Sequence, residues 1–139
     1  MTTPVDPENG PTTDEERRAA GMRTRREVLG DAHVDRAVAG STPFTAGFQD
    51  FITRTAWGDV WQRPGLARRD RSLLTLAITV ALRHWDEFAL HVRAAKNNGL
   101  TDEEIGEVLQ HAAIYAGVPA ANHAFAVARP ILEELRGRK

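Results

Sequence analysis

Five histidines occur in this 139-residue chain, and two of them share one short segment with a carboxylate: His84, Glu87 and His91 in "HWDEFALHVRAAKNNGL". An α-helix advances about 100° per residue, so the three fall within about 60° of one another on one face. Phe88, Val92 and Ala95 occupy the adjoining face, which should look into the core. Ionisable groups beside an apolar stripe are costly unless they are paired with each other, with a ligand or with water. Acid/base work is one use of such a set, because imidazole holds or releases a proton near neutral pH. Two other uses are open. Glu87 and His91 can form an ordinary i,i+4 pair at the core edge. Imidazole and carboxylate on one face can also bind zinc or iron. The spacing H-x-x-E-x-x-x-H is not that of the metalloproteases, however, and no further ligand is specified, so no metal site is expected.

Two more places put polar groups in apolar surroundings. His111 and Tyr115 stand i,i+4 in "HAAIYAG", where small residues allow another backbone to approach. His111 is either a packed histidine or a second imidazole facing the cavity of His91. Arg63, Arg68, Arg69 and Arg71 gather in "RPGLARRDRS". Guanidinium is the natural clamp for carboxylates, and a dicarboxylate would need two. Arg69 and Arg71 are the candidates, while Arg68 reads as solvated. Trp57 and Trp61, four apart, read as packing. Asn122 and His123 fall in a first helical turn, and Asn97 and Asn98 serve a helix end.

These residues must be held by helices, because no segment shows strand alternation with turn chemistry. Residues 1–12 carry three prolines and almost no apolar side chains, and are expected to form a disordered tail. Thr13 with Glu16 reads as a capping box opening a helix to Leu29, closed by Gly30. A short helical turn ends at Gly40. Ser41 or Thr42 should cap the next helix, whose Phe44, Phe48, Phe51 and Ile52 recur at helical spacing. A connection through Pro64 and Gly65 leads to the most hydrophobic segment, about 66–82, which reads as a central, largely buried helix. The 84–98 helix stops at Gly99. Thr101 and Glu104 form a second capping box, and Gly117 ends that helix, which is expected to pair antiparallel with the one before it. Pro119 opens the last helix, which Pro130 should kink or divide. The fold class is all-α, with residues 13–139 as a single domain.

Composition removes several functions. Net charge is −1, which does not suit nucleic acid or an anionic membrane as main partner. No apolar run reaches transmembrane length, and the N-terminus lacks a secretory hydrophobic region. The expected location is the cytoplasm. Cysteine is absent, which excludes thiolate nucleophiles, zinc–thiolate sites and dithiol redox chemistry.

Three stretches, "AWGDVWQRPGLARRDRSLLTLAITVAL", "EFALHVRAAKNNGLTDEEIGEVL" and "AIYAGVPAANHAF", resemble in order the signatures of the 4-carboxymuconolactone decarboxylase family. "VLGDAHVDRA" is similar to that family's N-terminal part, so the resemblance covers about residues 22–135. The wider alkylhydroperoxidase D-like superfamily carries C-x-x-C-x-x-x-H on the matching helix. Here His84 and Glu87 stand at the two cysteine places and His91 at the histidine place. The resemblance implies an alkylhydroperoxidase D-like helical bundle that assembles as a homo-oligomer, most often a hexamer. It implies decarboxylation of 4-carboxymuconolactone to 3-oxoadipate enol-lactone and carbon dioxide, in protocatechuate breakdown by the β-ketoadipate route. No cofactor is expected, because the lactone carbonyl can take up the electrons left by carbon dioxide. Under this reading Glu87, His91 and His111 are catalytic, and Arg69, Arg71 and Tyr115 bind the dicarboxylate lactone. His84 carries less weight. The alternatives are a related decarboxylase or isomerase acting on another carboxylated lactone or keto acid, and a non-catalytic helical oligomer that binds a small acid.

Overall fold

Local signals at the helix ends are realised closely. In a computed structural model that describes residues 13–137, Thr13 Oγ1 accepts from Glu16 N at 3.1 Å and opens α1, Asp14–Leu29. Gly30 separates it from α2, Asp31–Ala39. Then come α3, Ala46–Ile52, and a π-helix, Thr53–Val60. Four longer helices follow: α4, Arg68–Leu82; α5, Trp85–Asn97; α6, Asp102–Ala116; and α7, Val118–Gly137. No strand occurs among the described residues, and the fold is all-helical. The expected disordered tail, residues 1–12, lies outside the described residues.

The chain divides into two compact units, one ending at Leu66 and the other beginning at Ala67. In the first, α1 packs along the π-helix and also touches α2, while α3 leads into the π-helix. The crossing is a backbone-to-backbone approach made possible by two glycines. A Cβ on Gly21 would fall inside van der Waals contact of the Thr53 carbonyl, and one on Gly58 would lie 2.5 Å from the Arg17 carbonyl. Gln62 Nε2 closes the same crossing by donating to the Ala20 carbonyl at 2.8 Å. The π-helix ends with Trp61 N donating to Ala56 O, an i→i−5 bond. Trp57 and Trp61 stack with centroids 5.1 Å apart, in keeping with a packing role.

The second unit is a four-helix bundle with a definite ring of neighbours. α4 packs on α5 and α6, and α7 packs on the same two; α5 and α6 touch only slightly, across the diagonal. This corrects the expectation that α5 and α6 pair, which rested on their adjacency in sequence. The core is built from Leu76, Val80, Phe88, Val92, Leu100, Ile105 and Leu109, filled in by a row of alanines on α5, α6 and α7. Thr101 and Glu104 form the full capping box at the start of α6.

Four further expectations are revised. The Ser41 or Thr42 cap is replaced by a turn in which Thr42 N donates to Thr45 Oγ1 at 2.9 Å, and α3 begins only at Ala46. The connection expected over 58–70 is shorter, because the π-helix reaches Val60. α4 is less buried than its composition suggests: Leu74, Ile78 and Leu82 are exposed. Pro130 neither ends nor divides α7, which runs through it. Proline removes one i→i−4 bond, but Ala126 and Pro130 both lie on the exposed side, where water can satisfy the freed carbonyl.

The glycine crossing carries a stability prediction. Gly21→Ala should destabilise by about 1–3 kcal/mol, as overpacking does when the neighbour is backbone and cannot yield. Gly47→Ala in α3, with nothing within 4 Å of the added carbon, should be neutral or stabilise by up to about 1 kcal/mol, as glycine removal from a helix does. Denaturant melts of the two variants check the contrast; equal stability would mean the crossing relaxes freely.

Candidate active site

α5 owes its position to a sharp turn after α4. Arg83 closes α4 in the left-handed region (φ 58°, ψ 38°), with its N–H donating to Val80 O at 3.1 Å and His84 N donating to Thr79 O at 2.9 Å. A left-handed non-glycine residue costs of the order of 1 kcal/mol. It aims the start of α5 outward, where Arg83, His84, Asp86 and Glu87 line an open cleft of 480 Å³. At the other end of α5, Asn98 Nδ2 donates to the fully buried Ser72 Oγ at 2.8 Å, tying α5 to α4.

Along α5 the burial follows the expected stripe. Phe88, Val92 and Ala95 are fully buried, and His91 joins them at 7% exposure. It is the only one of the five histidines in the buried class. Glu87, one turn earlier, is exposed, and its carboxylate makes no hydrogen bond or ion pair with another described side chain. The two thus share a face of α5 but not an environment. His84 stands exposed at the N-cap without a side-chain capping bond.

His111 and Tyr115 stack on α6 with ring centroids 5.0 Å apart. Both are exposed, Tyr115 by 80%. They line a groove of 370 Å³ walled by Ala77, Ile78 and Ala81 of α4. Because α5 and α6 are diagonal in the bundle, this groove is a different surface from the Glu87 cleft. His123 of α7 packs on Trp85 at 4.4 Å between centroids.

Arg69 and Arg71 sit half-buried in the first turn of α4. Arg69 Nη2 is ion-paired with Glu104 Oε2, while Glu104 Oε1 accepts from Thr101 N at 2.9 Å. One carboxylate therefore closes the cap of α6 and anchors α4. The guanidinium hydrogen bond and the Thr101 backbone hold the Glu104 carboxyl below its ordinary range, and the same pairing raises Arg69. Among the described residues no group of three or more His, Asp or Glu side chains is arranged to hold a metal ion. No described helix is long and apolar enough to cross a membrane.

Comparison with known proteins gives these residues a context. Residues 46–130 match the Carboxymuconolactone decarboxylase family. The chain is 46% identical over 122 residues to a 4-carboxymuconolactone decarboxylase of Acinetobacter baylyi, covering 88% of this chain and 91% of the relative. It is 45% identical over 115 residues to a nitrosuccinic acid decarboxylase of Metarhizium robertsii, covering 83% of this chain and 80% of the relative. A 4-carboxymuconolactone decarboxylase sequence from Pseudomonas putida is 52% identical over 46 residues, 33% of this chain and 96% of that sequence. The family match spans more than half of the chain and two of these alignments span most of it. The chain belongs to the carboxymuconolactone decarboxylase family, within the alkylhydroperoxidase D-like group.

Proposed function

We propose that this protein decarboxylates 4-carboxymuconolactone to 3-oxoadipate enol-lactone, with His91 as the proton donor. The observation that carries the assignment of His91 is its burial on the α5 stripe, one turn from a carboxylate that faces an open cleft. The reaction sets three tasks. A dianion must be held, the carbon–carbon bond to the departing carboxylate must break, and a proton must return to ring carbon. The electron pair of the broken bond passes through the ring double bond to the lactone carbonyl oxygen as a dienolate, so the substrate is its own electron sink. Arg69 and Arg71 suit the first task chemically, because guanidinium pairs with carboxylate through two parallel bonds. Within one subunit they stand at the Ser72–Asn98 end of α4 and α5, opposite Glu87, so this role needs a neighbouring subunit to bring them to the cleft. Glu87 places a negative charge on the cleft side, where like-charge repulsion favours departure of the carboxylate. His91 supplies the proton, and its apolar surroundings keep competing water away. His111 and Tyr115 are the alternative donor and binding pair, on the α4–α6 groove.

A second reading is favoured by the similarity to the nitrosuccinic acid decarboxylase. Nitrosuccinic acid is also a dicarboxylic acid, and loss of the carboxylate beside its nitro group leaves electrons that spread onto the nitro oxygens. The same residues would serve. Carbon dioxide release from each acid, offered separately, decides between them. A kcat/KM at least tenfold higher for the lactone is expected; the reverse preference would assign the second reading, and no release from either would overturn both.

His91→Asn should lower kcat by roughly 10²–10⁴-fold, the usual range for general acid/base help, with the fold retained. Glu87→Gln should lower kcat as well. Melting temperature and turnover measured on the same samples separate this from a packing role, which would lower stability while turnover per folded enzyme holds. Near-normal turnover in folded His91→Asn would move the donor to His111.

Replacing Arg69 or Arg71 by Lys keeps the charge and loses the planar fork. The expected loss in kcat/KM is about 1.5–3 kcal/mol of transition-state binding for a residue that clamps a carboxylate. Unchanged kinetics in both variants would leave Arg69 as the α4–α6 tie alone and remove Arg71 from the site.

The working form is a homo-oligomer, a hexamer being the expected state. Supporting this, Ile78, Leu82, Ile114 and Tyr115 are exposed on the second unit, and Phe44, Phe48 and Phe51 on the first, Phe44 by 95%. Ile78 and Tyr115 share one groove, and exposed apolar groups of this kind mark association sites. Light scattering should give a mass several times 15.3 kDa, and Ile78→Asp with Leu82→Asp should reduce it. A monomeric parent protein would overturn the proposal.

A further inference from the structure

A buried cation in the first unit lacks a charged partner. Arg25 lies on the inner stripe of α1 with Gly21, Thr24 and Val28, and is 5% exposed. Its Nη2 donates to Gln49 Oε1 at 3.0 Å and its Nη1 to Thr53 Oγ1 at 3.3 Å. Both acceptors are neutral. Its Nε is buried and has no acceptor. Desolvation lowers the Arg25 pKa, with the neighbouring charge of Arg26 adding to the effect. A buried charge without a counter-ion is strongly unfavourable.

The carboxylate that lines a cavity together with Arg25, that of Asp50, is already committed. Asp50 accepts from Arg18 Nε at 2.5 Å and from Arg54 Nε at 2.8 Å. Those hydrogen bonds hold its carboxyl at about 2. Arg18 and Arg54 thus share the single charge of Asp50, with further negative charge from Asp14, which Arg54 approaches at 3.8 Å and Arg17 also engages, and from Glu15 beside Arg18.

Arg25 does not face solid protein. It lines a cavity of 140 Å³, together with Arg18, Ser41, Gln49, Thr53 and the arginine-paired Asp50 on the polar side and Met22, Ala37 and Val38 on the apolar side. That volume is roughly five water molecules' worth. We propose that this cavity is a binding site for a short-chain organic carboxylate, whose anionic end meets the Arg25 guanidinium and whose carbon chain lies against Met22 and Val38. The apolar wall favours a carboxylate with a short tail over inorganic oxyanions. None of its lining residues is among those assigned to decarboxylation, and its existence does not depend on that assignment.

The test uses the full-length protein at constant pH and ionic strength, titrated with butanoate, propanoate, chloride or phosphate. Thermal unfolding and calorimetry report binding. Butanoate or propanoate should raise the melting temperature saturably, with chloride and phosphate giving at most a tenth of the affinity. Gln49→Glu supplies an internal carboxylate beside Arg25 and is expected to fold. It should melt higher than the parent at low anion concentration and bind butanoate at least about tenfold more weakly. Arg25→Lys, which keeps the charge, should weaken butanoate binding while retaining some response. Equal melting temperatures in all four salts would overturn the proposal. So would a butanoate response undiminished in Gln49→Glu, which would place the binding elsewhere, or phosphate binding tighter than either carboxylate.

Discussion

Helices in this protein meet through small residues, and much else follows from that constraint. In the first unit α1 and the π-helix approach so closely at Gly21 and Gly58 that neither position has room for a Cβ. In the second, Ala94, Ala95, Ala112, Ala120, Ala121, Ala124 and Ala128 fill much of the buried surface. Small side chains bring backbones near and give good dispersion contact. They also bury little apolar area each, so the large hydrophobic residues available to a chain of this length have to be placed with care.

Many of them are placed outside. Phe44, Phe48, Phe51, Ile78, Leu82, Ile114 and Tyr115 are all exposed, while the second unit's interior depends on Phe88, Leu76, Ile105 and Leu109. A thin interior with a rich apolar exterior leaves much of the chain's hydrophobic surface in contact with solvent. The same economy explains the bundle ring. With α5 and α6 on the diagonal, each helix of the pair shares α4 and α7 as neighbours. The acidic cleft at the start of α5 and the aromatic groove on α6 therefore open on different surfaces.

Charge is distributed with equal consequence. Four arginines of the first unit, Arg17, Arg18, Arg26 and Arg54, are matched by aspartates, as in Arg17 with Asp59 and Arg26 with Asp35. Such exposed pairs add little stability individually, but they engage Asp14, Asp31, Asp35, Asp50 and Asp59. Arg25 is left inside with amide and hydroxyl partners. In the second unit Glu104 does two jobs, capping α6 and holding Arg69, so the orientation of a candidate carboxylate clamp is set by the start of another helix.

What the sequence alone determined is local or holistic. Capping pairs such as Thr13–Glu16 and Thr101–Glu104 fixed helix starts within a residue, because their hydrogen bonds span only three positions. Family membership followed from long ordered stretches, and the shared face of Glu87 and His91 followed from helical geometry. The burial of Arg25 had a signal too, since it falls at helical spacing with Gly21 and Val28, though in the charged run "RTRREVLG" that spacing reads as solvated. Tertiary structure alone decided the rest. Which of His84, His91 and His111 would be buried depended on the ring order of α4 to α7. Whether the phenylalanines of 44–51 faced inward depended on a crossing that glycines, not aromatics, could make. Whether Pro130 broke α7 depended on its carbonyl partner facing solvent. Each of these turns on contacts between residues far apart in the chain, whose energies no short window of sequence contains.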